Sequence, residues 1–220
     1  MLYVILSGIF ISCLITSNLI FLKFFTLKIQ LLNITFTQSV GLIAYPITFL
    51  ITDIISEIYG HKKANYLVIS GIISSVIVLF IIYIAEILPA DAQSTVDDPI
   101  FSLVFGQFGI AMVASLCTYL ICQLIDIQIF HFWKRKTKGK HLWLRNNFST
   151  IFSQLIDTFL ILFLLMSFTG FPSNYTQLFQ LFINGFAFKI LIALIDTPII
   201  YLCVFYLRNK YKLELEEELK

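Results

Sequence analysis

The chain reads as six long apolar runs separated by short polar stretches, roughly 2–22, 37–59, 65–87, 103–131, 147–169 and 178–207. About 20 predominantly apolar residues make one helical crossing of a bilayer, so each run predicts one membrane-spanning helix. The fourth and sixth runs are long enough to tilt or to lie partly in the interface. Segment 24–36, FFTLKIQLLNITF, is apolar but too short to cross; it predicts either a hairpin on the outer face or a lead-in to the second helix. No cationic stretch precedes the first run and no small-residue cleavage site follows it, so that run reads as a retained helix. The expected fold class is all-α, a polytopic membrane protein with a single six-helix transmembrane domain over 1–220.

Composition agrees with that pattern. Hydrophobic residues make up 59% of the 220 and charged residues 13%, against roughly 45–50% and about 25% in soluble domains. No compact soluble fold of this size has enough interior to bury so much apolar surface. The formal net charge of +2 comes without a clustered basic face, which excludes a nucleic-acid binder. Cys13, Cys117, Cys122 and Cys203 lie in apolar runs, with no C-x-x-C pair and no histidine at ligand spacing. They read as small buried residues; neither a metal site nor a disulfide framework is expected, and no cofactor motif occurs.

Lysine and arginine orient the chain. With the N-terminus in the cytoplasm, the inner segments hold Lys62 and Lys63; Lys134, Arg135, Lys136, Lys138, Lys140 and Arg145; and Arg208, Lys210, Lys212 and Lys220, twelve of the 15. The outer segments hold only Lys23 and Lys28, and loop 88–102 carries Asp91, Asp97 and Asp98 instead. An N-in, C-in topology follows. Lys134–Arg145 reads as a topology determinant that binds anionic lipid, and Lys212–Lys220 as a short solvated helical end. In the first run Gly8, Ser12 and Thr16 form a small-residue stripe, expected to admit a second helix or, less simply, a partner subunit.

Ionisable groups inside the runs carry the functional information. The second run holds Asp53 and Glu57, the fourth Asp126, the fifth Asp157, and the sixth Lys189 and Asp196. Each ionised group near mid-bilayer costs about 2.5–3.5 kcal/mol on insertion scales, so six of them are not an accident of drift. Asp53 and Glu57 share a helical face, as do Gln123 with Asp126, and Thr150, Gln154 and Asp157. Lys189 and Asp196 stand two turns apart, about 10 Å, too far to pair directly, so each is expected to meet a group on another helix. The four faces can converge on one polar cavity in the inner half of the membrane. A plain charge pair with Lys189 explains Asp157 or Asp196 singly, but not the whole set. Asn18 is either a helix–helix hydrogen bond or part of the site, and Glu86 reads as solvated at the outer interface. Pro46 and Pro198 are expected to kink their helices and free carbonyls beside these acids. Ile156-Asp157-Thr158 and Ile195-Asp196-Thr197 echo one another, and equivalent acids in helices two and five suggest a 3+3 inverted repeat.

The histidines His61, His131 and His141 lie in or beside inner loops, and no H-E-x-x-H or G-x-S-x-G occurs, so intramembrane protease chemistry lacks its parts. A channel needs a continuous polar path, whereas the outer halves of the runs are nearly all apolar. A small-molecule carrier fits better, and no enzyme is expected.

The stretch Tyr45–Ala64, YPITFLITDIISEIYGHKKA, resembles the signature of the queuosine precursor transporter family of vitamin uptake transporter type. Matches follow in order at Ala114-Ser115, Tyr119, Gln123, Asp126 and Phe130, then Trp143-Leu144-Arg145, Ser149-Thr150, Gln154, Asp157-Thr158, Lys189 and Thr197-Pro198. Ile110 departs from the pattern, standing where relatives are expected to carry Arg. The resemblance implies a multi-pass protein of the bacterial cell inner membrane. It would import 7-cyano- or 7-aminomethyl-7-deazaguanine for tRNA modification. A guanine-like edge presents adjacent N–H donors that a carboxylate or Gln accepts, and a flat ring that aromatic faces stack on. Asp53, Gln154 and Asp157 are the expected edge readers; Tyr45, Phe49 or Tyr119 the stacking face; Asp126, Lys189 and Asp196 a supporting charge network; and Glu57 a proton site against an apolar wall. The alternative is a substrate-binding membrane subunit of a multi-component ATP-driven uptake system; the expected partners are the small-molecule substrate, the lipid bilayer and either a second copy of the chain or an energising subunit.

Overall fold

A computed structural model describes residues 1–21, 23–29, 34–106, 109–169, 172–214 and 217–219. Helix α1 (Leu2–Leu19) is followed by strands β1 (Phe24–Ile29) and β2 (Ile34–Ser39), a one-turn 3-10 helix at Val40–Ile43, and helices α2 (Tyr45–Ile87), α3 (Asp98–Phe105), α4 (Gly109–Lys136), α5 (Leu142–Thr169) and α6 (Tyr175–Tyr211). The molecule is an all-α polytopic membrane protein. Among the described residues five stretches are helical and apolar enough to cross a membrane, with 40–87 counted as one.

That long stretch contains a reversal. Gly60 has φ 81 and ψ 176, a left-handed conformation that glycine adopts without steric penalty. The two halves of α2, residues 45–59 and 61–87, both lie along α1. Tyr3 stacks edge-on with Tyr59 at 5.4 Å and donates to the Lys63 carbonyl. Further along α1, Ser17 donates to the carbonyl of Gly41 at 2.8 Å, while Phe10 and Leu14 press on Gly71. The first half therefore runs against α1 and the second half runs with it. Glycines sit at both close approaches because a Cβ at Gly71 would lie 2.5 Å from the Phe10 ring, and one at Gly41 2.5 Å from the Ser17 carbonyl.

The first half of α2 is the central helix: Ile51 through Ile58 are buried without exception, as expected of a helix enclosed on all sides. Phe10, Leu14, Phe49, Ile55, Leu67 and Tyr119 form one apolar cluster around it, and Ile54, Ile58, Phe130, Ile200 and Leu207 a second nearer Gly60.

Several expectations change. Segment 24–36 contributes to a hairpin rather than to the second helix, with Phe24 paired to Ser39 and Ile29 to Ile34. Pro46 sits in the first turn of α2 and kinks nothing, because the N–H it lacks is unsatisfied there anyway; Pro198 is interior to α6. Gly8, Ser12 and Thr16 are exposed on α1, whose packed face is Phe10, Leu14, Ser17 and Asn18. Asp97 caps α3, so the start of the fourth run is a separate short helix. The basic stretch 134–145 is mostly helix ends, with the left-handed residues Lys138, Gly139 and His141 making the turn. The described residues of the C-terminal tail, 213–214 and 217–219, are not helical, and the Leu219 N–H donates to the Ile58 carbonyl at 2.7 Å.

Candidate functional site

Tyr45, Phe49, Asp53 and Glu57 recur one turn apart on the central helix, so a single stripe spans about 18 Å of bundle from Tyr45 to Glu57. Side chains of α4, α5 and α6 meet that stripe in three polar layers.

At the layer farthest from Gly60, Tyr45 donates to Asp157 Oδ1 at 3.2 Å, and Lys189 pairs with Asp157 Oδ2. The ammonium of Lys189 also lies 5.6 Å from the centre of the Tyr45 ring, a cation–π approach. Lys189 thus finds its partner on another helix. A pocket of about 180 Å³ opens on this layer from the α1 side, lined by Asn18, Ser17, Thr118, Tyr45, Asp157 and Lys189. Asn18 is 8% exposed and its Nδ2 is without a partner among the described residues.

The middle layer is rich in acceptors. Gln123 donates to the Tyr119 hydroxyl at 2.9 Å and to Thr52, and Ser153 donates to Asp126 Oδ1 at 3.0 Å. Asp53 Oδ1, Gln123 Oε1, Asp126 Oδ2 and Gln154 Oε1 are buried with no hydrogen-bond partner among the described residues. Such atoms are rare and each demands an explanation. Tyr45, Phe49 and Tyr119 form an aromatic triangle beside them, with centroids 5.3 to 6.1 Å apart. A small cavity of about 30 Å³ is lined by Tyr45, Phe49, Thr150, Gln154, Lys189 and Asp196, room for about one water.

The layer nearest Gly60 is an ion cage. Glu57 is fully buried and meets Arg145 at 2.7 Å, Arg208, and Lys134 at 3.8 Å. Lys134 also donates to the Glu57 carbonyl, and Arg145 to the carbonyls of Gly139 and Lys140. Glu57 faces three cations rather than an apolar wall, so the premise for a proton site there does not hold. Glu57 and Asp126 are both 0% exposed, enclosed by protein on every side.

The structure brings all eleven sequence-predicted residues onto this column: Asn18, Tyr45, Asp157 and Lys189 in the first layer, Phe49, Asp53, Gln123, Asp126, Gln154 and Asp196 in the second, Glu57 in the third. Ile110 falls among residues 107–112, outside the described side chains. Sequence reasoning left out Arg145, Lys134 and Arg208, which it assigned to topology and lipid. A signal for them existed: five acids and one lysine inside the runs leave a deficit of positive charge that only helix ends can fill.

Residues 39–203 match the family described as "Putative vitamin uptake transporter". A "Probable queuosine precursor transporter" of Bacillus subtilis is 29% identical over 167 residues, 75% of this chain and 71% of the relative. A protein of the same description from Haemophilus influenzae is 25% identical over 174 residues, 77% of this chain and 71% of the relative. No solved structure matches.

Proposed function

The chain belongs to the vitamin uptake transporter family, and from that membership we propose that this membrane transporter imports a queuosine precursor, 7-cyano- or 7-aminomethyl-7-deazaguanine, across a bacterial inner membrane. The observation that carries the reading is the middle layer, where four orphaned acceptor oxygens stand beside an aromatic triangle. Orphaned acceptors call for a donor-rich ligand. The ring N–H and amino group of a guanine-type edge supply adjacent donors, and its flat face suits Tyr45 and Phe49. The names of the two relatives support the same substrate class.

In this reading Asp53, Gln154 and Asp157 contact the edge, and Asp196 and Lys189 hold the charge around it. The chain makes six crossings with both termini in the cytoplasm, supported by the reversal at Gly60 and by the basic residues gathered near it. Substrate enters from the pocket beside Asn18 and passes the Tyr45–Asp157–Lys189 layer. It then leaves past the Glu57 cage. A cavity of about 30 Å³ cannot hold a deazapurine, so this is a closed state and both layers open in turn.

The test is uptake of labelled precursor by cells that can neither make nor import it, with queuosine in tRNA as the readout. The chain is expected to restore the modification, and Asp53→Asn with Asp157→Asn to abolish it; uptake that survives both removes these acids from the site. A second reading, a substrate-binding subunit served by an ATPase complex, draws on the outward-facing Gly8, Ser12 and Thr16. It predicts no uptake when the chain is expressed alone in a host without such a complex.

A further inference from the structure

The Gly60 end of the bundle holds a second concentration of charge, outside the column. A cavity of about 790 Å³ is bounded there by residues on both sides of Gly60, by the end of α4 and by the C-terminal tail. Lys62, Lys63, Lys134 and Arg135 line it together with His61 and His131. Among the described residues one carboxylate stands on its wall, that of Glu218. The volume is that of a small-molecule site rather than of one bound water.

Three features arrange this wall for an anion. His131 is 6% exposed, and its Nε2 has no hydrogen-bond partner among the described residues. Its ring lines this cavity and an adjoining one of about 370 Å³. A buried ring nitrogen left unpaired is costly, and as an N–H it donates to an anion seated there. Lys134, 5% exposed, reaches the cavity from within, donating to the Glu57 carbonyl at 3.0 Å and to Glu218 Oε1 at 3.3 Å. The Glu218 carboxylate also fills the space that a Cβ on Gly60 would take. The chain thus already seats one anionic group here.

That group holds weakly and leaves most of the charge unmet. The Glu218 side chain is 44% exposed, and ion pairs so open to water contribute little. Lys63 is turned to the Tyr3 ring at 5.4 Å. Lys62 and Arg135 are exposed, and among the described residues no acid pairs with either. A phosphate carries more charge than a carboxylate and three acceptor oxygens, so it engages lysine, guanidinium and imidazole at once.

We propose that this cavity binds a phosphate group, on a soluble molecule or on a phospholipid headgroup, in competition with the carboxylate of Glu218. The neighbouring Leu219 N–H is bonded to the Ile58 carbonyl at 2.7 Å. A phosphate that takes Lys134 from Glu218 therefore also frees the tail from the central helix. Binding there is independent of what the middle layer carries.

The experiment uses the full chain in phosphatidylcholine nanodiscs, with inorganic pyrophosphate as the soluble probe. Calorimetry reads binding, and hydrogen exchange reads the tail amides. Pyrophosphate is expected to bind and to speed exchange at Leu219 by about tenfold or more. Glu218→Gln, which removes the internal competitor, tightens binding by about tenfold, and Lys62→Gln with Arg135→Gln weakens it by about tenfold or more. Lys138→Gln with Lys210→Gln removes the same charge outside the cavity and leaves binding unchanged. Where pyrophosphate is silent, phosphatidylglycerol nanodiscs that release the tail in wild type but not in the Lys62 and Arg135 double variant identify a headgroup as the source. Silence in both arms overturns the site. So does binding that both double variants weaken alike, or an affinity unaltered by Glu218→Gln.

Discussion

The hydroxyl of Tyr45 donates to Asp157, 112 residues further along the chain, across 3.2 Å between the central helix and α5. With Lys189 bound to the other oxygen of the same carboxylate, three helices close on one buried group, and Tyr45 and Lys189 line both the 180 Å³ pocket and the smaller cavity. A layer that borders two cavities in this way acts as a gate if its bonds can be exchanged for bonds to substrate.

The pair of Asp157 and Lys189 separates structure from transport. Either Asp157→Asn or Lys189→Met alone leaves an uncompensated buried charge and is expected to lower stability by about 3 kcal/mol or more. The double variant removes both charges and recovers most of that loss, yet still fails in uptake. Thermal unfolding in detergent and the tRNA readout together check this. A double variant that transports normally makes the pair a structural tie.

Tyr45→Phe keeps the ring against Phe49 and Tyr119 and deletes only the hydroxyl. Loss of one hydrogen bond to a charged acceptor costs about 1.5–3 kcal/mol, and because this bond is made within the chain the unfolding midpoint is expected to fall, while the KM of uptake changes because the layer that closes on Asp157 has lost one of its ties. Kinetics of uptake against concentration decide it, and an unaltered KM removes Tyr45 from the gate.

Glu57→Gln leaves Arg145, Arg208 and Lys134 converging on a neutral amide. Because Arg145 is 1% exposed and cannot turn to water, the expected cost is about 3–5 kcal/mol, read as a large drop in the unfolding midpoint. Arg208→Gln is expected to cost less, since Arg145 and Lys134 still neutralise the carboxylate. Equal midpoints for Glu57→Gln and wild type contradict the cage.

Gly60 tests the tail. A Cβ there would stand 2.0 Å from Glu218 Oε2, and the backbone has φ 81. Gly60→Ala therefore meets two penalties in the full chain, the steric one through the tail and about 1–3 kcal/mol from a positive-φ, extended-ψ backbone that essentially only glycine adopts. Removal of residues 213–220 takes away only the first. The midpoint shift caused by Gly60→Ala is expected to shrink in the truncated chain, and an unchanged shift shows that the tail does not rest on Gly60.

Much of this molecule was legible in the residues. The apolar runs marked the long helices, although α2 starts at Tyr45 rather than 37 and α4 at Gly109 rather than 103, and the acids within them marked the column, because the bilayer penalises charge so heavily that a buried acid is conspicuous. Helix ends were less legible. Arg145 and Lys134 look like ordinary inner-loop charges in sequence, and only the packing of α4 and α5 beside Glu57 turns them inward. The tail misled for a related reason: KLELEEELK has helical propensity, but the carbonyl of Ile58, left without its helical donor by the turn at Gly60, is met by the Leu219 N–H. Tertiary demand of that kind leaves no local pattern. The small-residue stripe on α1 had the right composition for close packing, while the contacts were made by Phe10 and Leu14 against glycine on the other helix.

The central claim is that the acceptor-rich middle layer reads a guanine-type edge. Its most direct test is equilibrium binding of 7-cyano-7-deazaguanine and of 7-deazaadenine to the purified full chain. An adenine-type edge presents a ring acceptor where the guanine type has a donor, so the site is expected to prefer the guanine type by about 100-fold or more, and Asp53→Asn to weaken that preference. Equal affinity for the two bases, or no binding of either, would contradict the account.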